Sequence, residues 1–329
     1  MLSRGALLDD AVPQRHDDRD QAMKLRQLQY ICEVARRGLN VSAVAELLHT
    51  AQPGISTQIR LLEQELKVKI FERNGKRFVA VTQPGKVIIE RAEAVLREIE
   101  YIKQIGNEFT KEDQGLFSLA TTHTQAQYAL PHAIKAFKER YPDVRLRIHQ
   151  GNPEQISDMV MSGVADLAIA SETAHMHKSL VTMACHKWDF CVVTPPDHPL
   201  LKDQELTLER LVEFPLITYD YSFSGRSLIN KAFTDKNLLT NMALTAMDSD
   251  VIKTYVELGL GIGILAKMAF DPKRDSNLRS LDASHLFASN TTHIGLHRGK
   301  YLRGYMYAFI ELFAPHLKRK VIDDVLHRE

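Results

Sequence analysis

The stretch from Val41 to Leu66, VSAVAELLHTAQPGISTQIRLLEQEL, constrains this chain more than any other. Val41, Val44, Ala45 and Leu48 recur at helical spacing, and Ile55, Ile59, Leu62 and Leu66 repeat the pattern at i, i+4, i+7 and i+11. Between them lies His49-Thr50-Ala51-Gln52, and Pro53 stands just inside the second helix, where its missing N–H costs little. Two short helices joined by so brief a turn form a helix-turn-helix, whose second helix can enter a DNA major groove. With Ile55, Ile59 and Leu62 inward, Gln52, Ser56, Thr57 and Arg60 face outward. Gln bonds adenine edges, Arg bonds guanine or phosphate, and Ser and Thr bond either. The same polar face would also suit an ordinary solvated helical hairpin.

The flanking segments favour DNA. Residues 24–37 predict a helix with Leu25, Leu28, Ile31, Cys32 and Ala35 inward, ended by Gly38, and Asn40 is placed to cap the next helix. Asn74-Gly75, flanked by Phe71, Phe78 and Val79, predicts a hairpin. Six basic residues and one acid lie between Lys67 and Lys86. A basic hairpin beside a helix-turn-helix reads as a wing, with Arg73, Lys76 and Arg77 as phosphate contacts. Charge agrees. Residues 23–109 hold 14 Lys and Arg against 10 Glu, whereas the whole chain is nearly neutral at +1.

From Thr82 a long helix is expected to about Phe109. Ile88, Ala92, Val95, Ile99 and Ile102 step by 4, 3, 4 and 3, which is a heptad seam suited to pairing with another chain. Some 24 helical residues span roughly 36 Å. After Gly115 the pattern alternates strands (115–122, 144–151 with Val144, Leu146 and Ile148 inward, 166–170, 190–194, 261–265, 291–296) with helices (131–140, 156–161, 206–211, 227–236, 250–258, 301–313). That is a doubly wound α/β body, large enough for two lobes and a cleft. Chain crossings between lobes are expected near 185–190 and 287–292.

The remaining composition narrows the classes. Three cysteines, Cys32, Cys185 and Cys191, make no disulfide framework and suit a reducing cytoplasm. Neither an 18-residue apolar run nor a signal-peptide core is evident, so a cytoplasmic chain without a membrane span is expected. Residues 1–22, with five Asp and three Arg, read as a disordered extension. His175-Met176-His177 lacks a third ligand, and neither a nucleophile elbow nor a Gly-rich phosphate loop occurs, so no metal, cofactor or enzymatic site is expected.

NVSAVAELLHTAQPGISTQIRLLEQEL, IFERNGKRF and VTQPG resemble the DNA-binding domain of LysR-type transcriptional regulators. TTHTQAQYALP, HQGNPEQI, DLAIASE, FSGRS and DSDVIKTYVELGLGIGILA resemble its CysB and Cbl branch, which governs sulfur assimilation and cysteine synthesis. The resemblance runs from about Lys24 to Leu317, with Ala51 in place of a usual Ser. It implies a winged helix-turn-helix over 23–81, a dimerising linker helix over 82–110, and an effector domain over 111–329 resembling type 2 periplasmic binding proteins. Lobe I would hold about 111–185 and 290–318, and lobe II about 186–289. It implies double-stranded promoter DNA, RNA polymerase and further copies of the chain, as dimer or tetramer, as partners. The effector would be sulfate, thiosulfate, O-acetylserine, N-acetylserine or adenosine phosphosulfate. Thr122, Thr124 and Gln125 follow a strand and precede a helix, Ser171 ends a strand, and Ser224 precedes a helix; such places suit anions. The resemblance carries the ligand role onto these five. Trp188 and Tyr219 are expected to pack near the lobe crossover, with a place in the cleft wall as the alternative for Tyr219. A sulfate-type solute-binding protein is the alternative reading of the α/β half.

Overall fold

The computed structural model describes residues 23–75, 77–110, 113–171 and 177–327. The expected extension at 1–22, the wing residue Lys76, and His175 and Met176 lie outside these. The described chain divides into two units, with the division inside one long helix between residues 100 and 101.

The first unit contains α1 (Leu25–Arg36), α2 (Val41–Leu47), α3 (Gln52–Leu66), β1 (Phe71–Asn74), β2 (Arg77–Val81) and the first part of α4 (Gln83–Thr110). The apolar stripes of α1, α2 and α3 close one core around Ile31, Val44, Ile55, Ile59 and Leu62. Leu25, expected inward, is 53% exposed. Helical side chains lean toward the N-terminus, so the first residue of α1 points past the core rather than onto it. Gln27, Tyr30 and Val34 are buried instead. Asn40 caps α2, its Oδ1 accepting from the Ala43 amide at 3.1 Å. β1 and β2 pair antiparallel, with the Phe71 and Phe78 ring centres 4.7 Å apart and the rings tilted by 33°, and Val79 alternating outward into solvent.

The start of α4 is fixed by a close approach. The Thr82 hydroxyl accepts from the Gly85 amide at 2.9 Å, and a Cβ on Gly85 would lie 2.1 Å from the Ile70 carbonyl oxygen. Gly85→Ala therefore forces α4 away from the root of the wing. The expected loss is about 1–3 kcal/mol, checked by urea unfolding of the full chain with hydrogen exchange of the 71–81 amides. Along the expected seam of α4, Ala92 is buried and Ile88 and Ile99 are half-buried, whereas Val95 is exposed and Ile102 is 68% exposed.

The second unit carries β3 (Gly115–Thr121), α5 (Pro131–Arg140), β4 (Val144–Gln150), α6 (Pro153–Met161), β5 (Leu167–Ala170) and β6 (Leu180–Trp188). Then follow β7 (Phe190–Thr194), α7 (Leu208–Leu211), β8 (Leu216–Tyr219), α8 (Ser224–Asp235), β9 (Met242–Ala246) and α9 (Ser249–Glu257). The rest is β10 (Ile262–Ala266), β11 (Arg279–Asp282), β12 (Asn290–His297), α10 (Gly304–Phe313) and α11 (Arg319–Leu326). Lobe I is the sheet β4-β3-β5-β12-β6 and lobe II the sheet β11-β7-β10-β8-β9. Both are mixed. β3 runs parallel to β4 and β5, and β8 parallel to β9 and β10, while β12 and β7 pair antiparallel with their neighbours.

Strands β6, β8, β9 and β11 and helix α11 went unexpected. The first carries His and Lys among its apolar residues, and the second is only four residues long. β9 and β11 are short edge strands with little apolar surface to signal them. Ile148, expected inward on β4, is exposed, because β4 is an edge strand whose far half lacks cover. Each lobe has its own core, around Phe117, Phe137 and Phe309 in lobe I and around Phe190, Ile217 and Ile264 in lobe II. The chain crosses at Asp189 and Ser289, and the Ser289 hydroxyl donates to Asp189 Oδ1 at 2.6 Å, tying the two crossings together.

Candidate functional site

Two sites emerge, one in each unit. On α3, Gln52, Thr57 and Arg60 are exposed and Ser56 is half-buried; Thr57 and Arg60 lie away from Ile55, Ile59 and Leu62, Ser56 lies at the margin of that face, and Gln52 is exposed in the first turn. Gln52 Oε1 lies 3.5 Å from the Ser42 hydroxyl of α2. Arg60 makes no ion pair among the described residues, and Arg77 projects from the wing into solvent. Arg73 behaves differently. Its guanidinium lies 2.9 Å from Glu63 Oε2 and 4.8 Å from the centre of the Phe78 ring. Glu63, at 3% exposure, also accepts from the Ile70 and Phe71 amides at 2.9 and 3.2 Å. A buried carboxylate thus binds the wing root to the end of α3. The sequence signal was a single acid beside Leu62 on an otherwise apolar face, and it passed unnoticed.

In the second unit, the ends of several strands converge on a small cavity that opens to solvent. Its lining is Thr122, Thr124, Gln125, Ser171, Trp188, Tyr219, Phe223 and Gly225. Thr122 directly follows β3, Ser171 follows β5, Trp188 ends β6 and Tyr219 ends β8. Strand termini collect there because a parallel crossover returns each helix to the same sheet edge. Between β3 and α5 the backbone widens into a π-turn over Gln125–Ala129, with the Leu130 amide donating to the Gln125 carbonyl at 3.0 Å. Such turns re-aim side chains.

Four of the five expected ligand residues line this cavity. Ser224 does not; its hydroxyl accepts from Asn290 Nδ2 at 2.8 Å, joining α8 to the hinge strand β12. The Trp188 indole donates to Ser171 Oγ at 3.1 Å. Gln125, 2% exposed, donates through Nε2 to Thr292 Oγ1 at 3.0 Å, while its Oε1 has no partner among the described residues. Burial pushes the Tyr219 hydroxyl up to about 12, so it stays protonated; it lies 2.8 Å from Ser249 Oγ and accepts from the Ala266 amide at 2.9 Å. Phe223 in the wall and Ser249 behind Tyr219 were not anticipated, since neither an apolar residue nor a helix-start serine announces a cavity by itself.

None of the eight lining residues is charged. Any anion there is held by neutral donors, which avoids burying an opposite charge. The three thiols are all pushed up by burial, Cys32 and Cys185 to about 12 and Cys191 to about 11, so none is a ready thiolate. His123, Asp248 and Asp250 gather beside the cavity, with His123 Nδ1 3.8 Å from Asp250 and 4.0 Å from Asp248. Lys253 lies 3.1 Å from Asp250 and already neutralises it, which disfavours a cation. No helix among the described residues is long and apolar enough to cross a membrane.

Two family models match the chain: the LysR-family bacterial regulatory helix-turn-helix protein over residues 25–86, and the LysR substrate binding domain over 110–318. The chain is 47% identical to the HTH-type transcriptional regulator CysB of Burkholderia cenocepacia, covering 93% of this chain and 98% of that one. Against the regulator SsuR of the same species it is 46% identical over 92% and 99%, and against cbl of Escherichia coli 45% over 88% and 92%. Among solved structures, the cofactor-binding domain of the Cbl transcriptional regulator matches with a TM-score of 0.63 at 44% identity, covering 65% of this chain and 95% of that one. A full-length OxyR variant from Pseudomonas aeruginosa matches with 0.68 at 22% identity, over 89% and 98%, which supports the fold alone. These relatives are regulators rather than enzymes, and a solute-binding reading has no place for the N-terminal match. The chain belongs to the LysR family of transcriptional regulators, close to CysB, Cbl and SsuR.

Proposed function

We propose that this regulator controls genes of sulfur assimilation and cysteine synthesis in response to a small effector bound between the lobes. Gln52, Ser56, Thr57 and Arg60 read the operator from α3, and Lys76 and Arg77 add phosphate contacts from the wing. Arg73 serves chiefly to hold the wing in place, since its charge is turned toward Glu63. The exposed Val95 and Ile102 of α4 pair with the same helix of a second copy. Pairing presents two recognition helices to two half-sites. A tetramer working with RNA polymerase follows the family pattern.

The effector contacts Thr122, Thr124, Gln125 and Ser171, with Ser224 holding the hinge side of the wall. The observation that carries the choice of effector is the unpartnered Gln125 oxygen in an uncharged cavity. A buried acceptor left unmatched costs free energy, so the favoured ligand brings a donor to it. Sulfate and thiosulfate offer acceptors only. N-acetylserine has an amide N–H and O-acetylserine an ammonium, each beside a carboxylate that the hydroxyls of Thr122, Thr124 and Ser171 can bind. The acetylserines are therefore the better match. Thr122→Ala and Gln125→Leu are each expected to weaken effector binding about 5- to 30-fold, with operator affinity in the absence of ligand unchanged. Calorimetric titration of the full chain checks this; wild-type affinity in both variants would move the effector elsewhere.

A further inference from the structure

The two lobes also touch directly beside the cavity, through Thr124 of its lining and through residues that do not line it. Lobe I contributes Tyr128, on the π-turn. Lobe II contributes the first turns of α9. The Tyr128 hydroxyl donates to Asp250 and accepts from Lys253 Nζ at 2.9 Å, and its ring packs against the lobe II core. Alongside, Thr124 Oγ1 lies 3.3 Å from Ser249 Oγ, which reaches the cavity wall through Tyr219 at 2.8 Å. His123 closes the same edge, facing Asp248 and Asp250.

The lobe II side of this contact is complete without Tyr128. Lys253, itself buried, donates to the Ala269 carbonyl at 2.9 Å and to both oxygens of Asp275 at 2.9 and 3.1 Å, and it also pairs with Asp250. Parting the lobes would therefore leave no buried charge unpaired, which is the usual large cost of breaking such a cluster. What parting does break at this edge is one hydroxyl with two charged partners, the packing of the Tyr128 ring on the lobe II core, the approach of His123 to Asp248 and Asp250, and the Thr124–Ser249 contact. Hydrogen bonds to charged groups are the stronger kind, yet two of them remain reversible. Burial raises the Tyr128 hydroxyl above its ordinary range, so it remains a donor.

We infer that Tyr128 is the positioning residue of an inter-lobe latch: it engages the preformed Asp250–Lys253–Asp275 cluster, holds the lobes closed over the cavity, and sets how fast an effector leaves. The second half of this statement rests on the cavity being the effector site; the first does not. Because Ser249 touches both the latch edge and the cavity wall, a ligand reaching Thr124 acts on the latch through a shared contact.

Tyr128→Phe tests this, since it keeps the ring and removes the hydroxyl. In ligand-free full-length protein, hydrogen exchange of the Val251–Lys253 and Leu130 amides is expected to rise about tenfold, with the β8 and β10 amides unchanged. Asp250→Asn should produce a smaller rise in the same amides. In stopped-flow displacement, release of N-acetylserine from Tyr128→Phe is expected to be about tenfold faster. Unchanged exchange at these amides overturns the latch, as does a rise spread evenly over both lobes. If wild type binds none of the candidate effectors, the effector reading fails, and the exchange measurement alone still decides the latch.

Discussion

Arg60→Ala is expected to weaken operator binding by about 1–3 kcal/mol, or roughly 5- to 150-fold. Arg60 stands on the exposed face of α3 without an ion pair among the described residues, so its guanidinium is available to DNA. Its removal leaves the fold alone, because surface substitutions away from special features stay within about 0.5 kcal/mol. Salt separates the two roles Arg60 could play. If it meets a phosphate, the variant's log K against log salt slope falls by about one and all sequences weaken alike. If it meets a guanine edge, discrimination at one base pair relaxes while the slope holds. Fluorescence titration of operator and mismatched duplexes at several salt concentrations reads both. Unchanged affinity at every salt would remove Arg60 from the interface.

Glu63→Ala is expected to cost the DNA-binding unit about 3 kcal/mol. The change orphans the Ile70 and Phe71 amides and frees Arg73, whose side chain is 30% exposed and recovers some solvation. A loss of that size is a large fraction of the stability of a small unit. Glu63→Gln retains an acceptor for the two amides and loses the charge opposite Arg73 and the more distant, exposed Lys69, so about 1–2 kcal/mol is expected. Hydrogen exchange over residues 25–81 in the full chain measures both. A loss under about 1 kcal/mol for Glu63→Ala would mean that the wing is held by Phe71 and Phe78 alone. Operator affinity should fall with Glu63→Ala at temperatures where α3 remains folded, because the wing loses its anchor.

How much of this was legible follows from the range over which each residue acts. The helices of the DNA-binding unit announce themselves through apolar spacing, Asn40 through its capping position, and the wing through Asn74-Gly75. These signals are local, so a single sequence contains them whole. Glu63 and Arg73 escaped because their roles are set by each other across ten positions, and as isolated residues both look like surface charges. In the effector domain, Thr122, Thr124, Gln125 and Ser171 stand at or just after strand ends, a local cue that suits an anion or a cap alike, and the family resemblance chose the cavity for them. Ser224 has the same local credentials, yet Asn290, 66 residues away, draws its hydroxyl to the hinge. The latch was beyond sequence reading for the same reason: Tyr128 and Lys253 are 125 residues apart, and the motif that holds each says nothing of their contact. Leu25 and Ile148 show the opposite failure. Periodicity placed them inward, but one lies at a helix start and the other on an uncovered edge strand.

The most direct test is a DNA-binding titration of the full chain on its own upstream region and on a sulfur-assimilation promoter. Each is run against competitor DNA, alone and with sulfate, thiosulfate, O-acetylserine, N-acetylserine or adenosine phosphosulfate. Specific binding that an acetylserine shifts, and that sulfate and thiosulfate shift less, is the predicted result. Specific binding that none of the five alters would contradict the assignment of the cavity to a sulfur-linked effector, and binding no tighter than to competitor would contradict control of these promoters.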